Sequence, residues 1–304
     1  MHSSSFHRRA LLTSVAVGAV VVLSACTSTQ PVASTSSPTP TASSTSSADA
    51  SSTAPAVSEV SPAAGALSGG TTITIAGSGL SKVDAVTVGG VPATDVTVVD
   101  DKTVTAVTPA AANFQPADAA LEVSAAGEPV SLPGDTAYRF ESVTPLDKQM
   151  QYALSYWKDY NLAEWGNLNP VGGDCANFVS QTLIQRGWTQ TGDWHNFNQA
   201  ADWTPAWGYV PAMDQFFQAT PALGLTRLSL DQRDQVKVGD VAMFDWNQNN
   251  IPDHVMIVSQ VTTEGDKTII KAVGHNKDFD YRDLDETITV EHPGGNAWFW
   301  SVPA

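Results

Sequence analysis

Between residues 57 and 141 apolar and polar positions alternate in short runs. Residues 71–76 place Ile73 and Ile75 on one face and Thr72 and Thr74 on the other. Runs of similar length occupy 85–88, 95–99, 103–107, 120–124 and 137–140, with Gly, Pro and Asp clusters between them. Short strands at near-regular spacing predict an all-β sandwich. After residue 142 the period changes. Met150, Ala153, Leu154 and Trp157 stand at i, i+3, i+4 and i+7, the stripe of a helix. A second helix is predicted from the Asp174 cap to Gly187, with Phe178, Val179 and Leu183 facing the core. A third spans about residues 209–219, with Pro211 in its first turn and Met213, Phe216 and Phe217 on one side. Strand-like runs follow at 241–244, 254–258 and 268–273, the last two joined by a turn at 262–266. Helices followed by an antiparallel meander describe an α+β domain.

The N-terminus reads differently. His7-Arg8-Arg9 precedes an apolar run at 10–23 that ends in Leu23-Ser24-Ala25-Cys26. A basic start, a short apolar stretch and small residues describe a secretory signal, too short for a comfortable membrane span. Leu-Ser-Ala-Cys resembles a bacterial lipobox, which implies cleavage before Cys26 and a lipid on that residue. The two arginines also fit a twin-arginine signal, so Sec and twin-arginine export both stay open. Of residues 27–56, 17 are Ser or Thr and Asp49 is the only charge. Such a stretch has nothing to bury and is expected to be a disordered tether. The expected organisation is a signal at 1–26, a tether at 27–56, a sandwich at 57–141 and an α+β domain at 142–304.

Composition narrows the partners. The formal net charge is −16, which disfavours nucleic acid as a ligand. With 2 Cys, a disulfide framework and a Cys-rich zinc site are both excluded. Loss of the signal would remove Arg8 and Arg9, leaving more negative charge on the sandwich and the α+β domain.

The candidate chemistry lies after residue 142. Cys175 falls in the first turn of the second predicted helix, where free backbone N–H groups and the helix dipole favour a thiolate and could hold an oxyanion. A buried Cys is also a common inert filler. His254 opens the second strand and His275-Asn276 closes the third. Antiparallel pairing would make them neighbours, so that either His275 or Asn276 could fix the tautomer of His254 as the third member of a triad does.

Two resemblances sharpen this. Val60-Ser61-Pro62-Ala63-Ala64-Gly65 and Gly69-Gly70-Thr71-Thr72-Ile73 through Gly77-Ser78-Gly79-Leu80 resemble an IPT/TIG domain, an immunoglobulin-like sandwich that acts as spacer or binding module. Gly172-Gly173-Asp174-Cys175-Ala176-Asn177-Phe178-Val179-Ser180-Gln181, Gly239-Asp240-Val241, Asp253-His254-Val255 and Gly274-His275-Asn276-Lys277-Asp278 resemble the amidase domain of bacterial surface proteins. That domain is similar to the CHAP and NlpC-type cell-wall hydrolases. The second resemblance implies a papain-like cysteine hydrolase with Cys175 as nucleophile, His254 as general base and His275, or else Asn276, orienting it. It also implies that the backbone N–H of Cys175 helps to bind the oxyanion.

Candidate substrate contacts are Asp174, Trp194, Trp203 and Trp207. The polar run from Asp245 to Asn250 lacks the Gly and Glu of a calcium loop and is expected to be a turn. The acidic run Asp278, Asp280, Asp283, Asp285 and Glu286 is expected to be a solvated face. The expected protein is a lipid-anchored monomer on the outer face of the cell membrane. Its expected partner is cell-wall peptide, without cofactor or metal. A cysteine hydrolase of another secreted amide substrate is the nearer rival, and a surface binding or adhesion protein with a silent papain-like domain is the rival from another class.

Overall fold

The computed structural model describes residues 54–303. The predicted signal, Cys26 and nearly all of the predicted tether lie outside them. Ten strands build the N-terminal sandwich: β1 (Ala56–Ser61), β2 (Ala64–Ala66), β3 (Thr72–Ser78), β4 (Val83–Val88), β5 (Val91–Pro92), β6 (Thr94–Asp100), β7 (Thr103–Val107), β8 (Ala117–Ala125), β9 (Glu128–Pro129) and β10 (Ala137–Glu141). One sheet runs β1-β3-β7-β6 and the other β2-β10-β8-β4-β5, with β9 on β8. The alternation works as the sequence implies. Ile73, Ile75, Val104 and Ala106 are buried from one sheet, and Val86, Val88, Leu121 and Val123 from the other. Full burial of such side chains contributes about 1.5–3 kcal/mol each, more than an exposed pair such as Arg139–Asp118 at 3.8 Å.

The C-terminal part is α+β. Its helices are α1 (Pro145–Tyr156), α2 (Leu162–Trp165), α3 (Cys175–Gln185), α4 (Pro205–Gly208), α5 (Val210–Ala219) and α6 (Leu284–Glu286). A small hairpin of β11 (Asn196–Phe197) and β12 (Asp202–Trp203) lies between α3 and α4. The main sheet contains β13 (Thr226–Ser229), β14 (Val241–Asp245), β15 (His254–Glu264), β16 (Lys267–Gly274), β17 (Phe279–Asp283) and β18 (Asn296–Ser301), in the order β13-β18-β14-β15-β16-β17. The predicted meander is its centre. The last strand, β18, returns to sit between β13 and β14, a long-range pairing that no local pattern announces.

Strand parity divides the sheet's contacts. Met243, Val255, Ile257 and Val273 join the core built with Met150, Phe178 and Leu183 of α1 and α3. Phe244, Met256, Val258 and Ala272 face a second core closed by Leu284 and Ile288. The sheet is buried on both faces, so β15 begins as a run of apolar residues rather than an alternation.

A buried carboxylate joins the sandwich to the first helix. Asp147 Oδ1 accepts from the Ser68 N–H at 2.7 Å, and its Oδ2 accepts from the N–H groups of Val143 and Thr144 at 3.0 and 2.8 Å. The Asp147 N–H donates to Thr144 Oγ1 at 3.0 Å, completing a capping box. Burial alone would raise the pKa of this carboxyl. The hydrogen bonds from Thr144, Ser68 and Val143 outweigh burial and hold it below its ordinary value.

Replacing Asp147 by Ala leaves these backbone donors without a partner. The expected loss is about 1–3 kcal/mol in urea unfolding at pH 7. A depressed folded value contributes stability above the unfolded pKa, about 3.9, that is lost as pH falls through the lower folded value. The difference between wild type and Asp147→Ala should therefore shrink as unfolding is repeated toward pH 2.

Candidate active site

Helix α3 begins under unusual constraint. Asp174 precedes it, yet its side chain caps none of the helix N–H groups. Its Oδ1 accepts from the Leu168 N–H and from Asn177 Nδ2, both at 2.9 Å. Its Oδ2 lies 2.7 Å from His275 Nδ1, with both side chains 1% exposed. The cap comes from a distant strand end instead. Asn276 Oδ1 accepts from the N–H groups of Asp174 at 2.5 Å and Cys175 at 2.9 Å. Gly173, at φ +133°, makes room for it: a Cβ there would stand 3.1 Å from that oxygen.

Cys175 is buried on the first turn of α3, against the start of β15. Burial pushes its thiol up to about 11; the N–H groups of Val255 and Ala176 pull the other way, and the Asp174 charge adds to the rise. The thiolate expected from a helix N-terminus is therefore not the resting form. The Cys175 N–H, expected to serve an oxyanion, is engaged by Asn276.

His254 pairs with Phe244 across β14 and β15, and its ring packs 5.9 Å from that of Phe244 and 6.0 Å from that of Trp246. Parity puts this ring on the face opposite Val255. Its Nε2 is buried with no partner. Burial lowers its pKa to about 3, with Arg282, His292 and Lys277 acting in the same direction, so the imidazole is neutral. The structure brings the Cys175 sulfur and the backbone beside His254 together, but no hydrogen bond joins the two side chains.

The expected third member is corrected. The pairing of β15 with β16 stops at Ile257↔Val273, so His254 and the 275–276 pair are not ladder neighbours. Beyond that point the N-terminus of α3 intervenes, its sulfur against Val255 and its N–H on Asn276. The His275 ring donates from Nε2 to the Tyr156 carbonyl at 2.9 Å and faces Asp174 with Nδ1. It stacks on Tyr160 at 3.5 Å and Phe178 at 4.1 Å. Neither His275 nor Asn276 orients His254.

A cleft of about 380 Å³ opens over Cys175, with Gly173, Trp203, Tyr209, Ile251 and Asp253 in its walls. Trp203 thus stands where a substrate contact was expected. Trp194 and Trp207 do not: they are 1% and 0% exposed, and their indole N–H groups donate to Ser180 Oγ at 3.2 Å and Asn177 Oδ1 at 2.8 Å. They hold α3 in place. Asp174 is likewise too buried to meet a substrate. Asp245 accepts from the N–H groups of Asn247, Asn249 and Asn250, which makes its loop self-sufficient. The acidic run is not simply solvated either, since Asp278 accepts from Tyr160, Asp283 caps α6, and Asp285 pairs with Arg233 and Lys267.

Sequence reasoning missed Asp253 and Tyr209 as cleft residues. Asp253 adjoins His254 in the Asp253-His254-Val255 motif, which was a usable signal; Tyr209 had none.

A family model described as Putative amidase domain matches residues 146–300, and one described as IPT/TIG domain matches residues 55–138. No curated protein matches. Among solved structures, the plexin A4 full extracellular region is 22% identical over 28% of this chain and 8% of that chain, with a TM-score of 0.25. An auxiliary nutrient binding protein from Bacteroides thetaiotaomicron VPI-5482 is 26% identical over 29% of this chain and 21% of that chain, with a TM-score of 0.23. SGBP-B from a complex xyloglucan utilization locus in Bacteroides uniformis is 17% identical over 83% of this chain and 69% of that chain, also at 0.23. At such scores these likenesses carry no conclusion about activity.

The raised thiol value sets a chemical expectation. Iodoacetamide should alkylate Cys175 at pH 8 at least about tenfold more slowly than a free thiol, because a pKa pushed up to about 11 leaves far less thiolate than the ~8.5 of a free thiol. The rate should keep climbing past pH 9. Mass spectrometry of the peptide containing Cys175 reads it directly.

Proposed function

This chain belongs to the Putative amidase domain family and carries an IPT/TIG domain ahead of that region, and from this premise we propose that it is a papain-like, cysteine-dependent amide hydrolase acting on cell-wall peptides. The observation that carries the reading is the position of Cys175, the free thiol among the described residues, on the first turn of α3 and in the wall of the cleft. The lipobox-like Cys26 and the polar stretch after it support an anchored, outward-facing location in which the IPT/TIG domain is a spacer.

The chemistry follows from a neutral pair. Cys175 rests as a thiol and His254 as a free base. His254 Nε2 has no hydrogen-bond partner, but its ring is packed against Phe244 and Trp246, so the start of β15 has to rearrange on substrate binding to bring it to the sulfur. Such contacts are often unformed before substrate binds. His254 takes the thiol proton as Sγ attacks the amide carbon. The C–N bond then breaks, the amine leaves with that proton, and a thioester remains on Cys175. Water, losing a proton to His254, attacks the thioester and releases the acid and the thiol. The oxyanion gains the Cys175 N–H when the carbonyl displaces Asn276 Oδ1 from it.

The unjoined side chains and the high thiol value also suit a surface binding protein that does not catalyse. Incubation of the purified protein with isolated peptidoglycan, followed by mass spectrometry, separates the two. The hydrolase should release new amine-bearing fragments. Cys175→Ala should bring release to background, and His254→Ala should lower it about 10²–10⁴-fold. Equal release by Cys175→Ala would end the cysteine reading.

A further inference from the structure

The cleft's lining bears on the choice of substrate, given the amidase reading on which that choice rests. Three of its rim residues are large, apolar and exposed: Val171 at 64%, Tyr209 at 57% and Ile251 at 52%. Trp203 and Val210 continue this surface inward, with three prolines between. Exposed apolar side chains gathered around a cavity mark a ligand surface rather than chance exposure.

The charges in the lining are as informative. Among the described residues that line the cleft there is no Lys, Arg or His, and Asp253 is the sole charged side chain. Asp253 Oδ2 accepts from the Trp246 N–H at 2.8 Å, which fixes the carboxylate, while Oδ1 accepts no hydrogen bond from the described residues. At the N-terminus of α3 the N–H groups of Asp174 and Cys175 are held by Asn276 Oδ1, and the Cys175 N–H is the group the reacting carbonyl takes in the proposed reaction, so neither is left for a second, anionic group. Lys277 and Arg282, whose charges reach His254, are both paired with Glu291. A substrate carboxylate would enter this cleft without a partner, whereas an ammonium group would find Asp253 Oδ1 waiting.

We infer that the cleft takes a peptide amide with an apolar residue at the scissile bond and an ammonium group beside it, and that Asp253 selects that charge. Among cell-wall peptides this singles out bonds next to a free amino group over bonds next to a free carboxylate. Asp253 is a specificity-determining residue in this assignment and takes no part in bond breaking.

Charged thiol reagents test the cleft without requiring hydrolysis. The full chain is treated with aminoethyl and sulfonatoethyl methanethiosulfonate, and mixed-disulfide formation is read at the Cys175 peptide by mass. Each rate is divided by that of a small free thiol. The ammonium reagent should be favoured by about tenfold, the scale of a partly exposed charge contact over a two-charge difference. In Asp253→Asn, which keeps an acceptor for the Trp246 N–H, the preference should fall toward unity. Val171→Lys, at the exposed rim, should lower it as well, and 0.5 M salt should shrink it in wild type. Equal or faster reaction with the anionic reagent, or a preference that survives Asp253→Asn, overturns the inference. A second arm compares leucyl coumarin amides bearing a free amino group or an N-succinyl group. Faster cleavage of the succinyl compound also overturns it. Charge-selective labelling by a protein that cleaves no amide leaves the cleft's preference standing and ends the hydrolase reading instead.

Discussion

The buried Asp174 carboxylate is the constraint on which the site depends. It binds the Leu168 N–H, the Asn177 side chain and the His275 ring, and so ties the loop before α3, the helix itself and the end of β16 into one node. His275 extends the tie to the last turn of α1 through the Tyr156 carbonyl. A carboxylate at 1% exposure is costly unless its oxygens are occupied, and here they are. Loss of one member leaves the others buried and unpaired, so the arrangement holds together as a unit.

This node explains why Cys175 sits where it does. Asn276 caps α3 from across the sheet and leaves Asp174 free for His275. The polar residues inside α3 find their partners in aromatic side chains, with Asn177 accepting from Trp207, Ser180 from Trp194 and Gln181 from Tyr152. The helix is thus fixed along its length by groups that a count of apolar positions would treat as defects. A rigid helix gives the thiol a defined place in the cleft wall. In the proposed reaction this arrangement calls for general-base activation on substrate binding rather than a standing thiolate.

The strand and helix periods were legible because each segment has one buried face with a clear repeat: Ile73 and Ile75 in the sandwich, Met150 and Ala153 in α1, Phe178 and Val179 in α3. The central hairpin was legible too, from a turn between two apolar runs. The end of that hairpin was not. A ladder continued past Ile257↔Val273 would place His254 beside Asn276, and nothing in the two strands says that pairing stops. What stops it is α3, contributed by residues about a hundred positions earlier. The Trp residues misled for a related reason. Their number suggested a stacking surface, but Trp194 and Trp207 serve buried hydrogen-bond acceptors on α3, and of the three candidates only Trp203 reaches the cleft.

Sequence by itself determined the succession of a β-sandwich and an α+β region, the apolar faces of their main strands and helices and the start of α3 at Cys175, while the meeting of Cys175 with the Asp253–Val255 segment was given only by the family resemblance. Those follow from local period, turn chemistry and motif, which act within a few residues. Tertiary structure alone decided which side of the sheet His254 faces, that His275 serves Asp174, that Asn276 covers the helix N-terminus, and that Asp253 is the one charged side chain among the described residues lining the cleft. These depend on where elements distant in sequence meet and on which polar group reaches a buried partner first. Such choices are made by burial and geometry in the assembled fold.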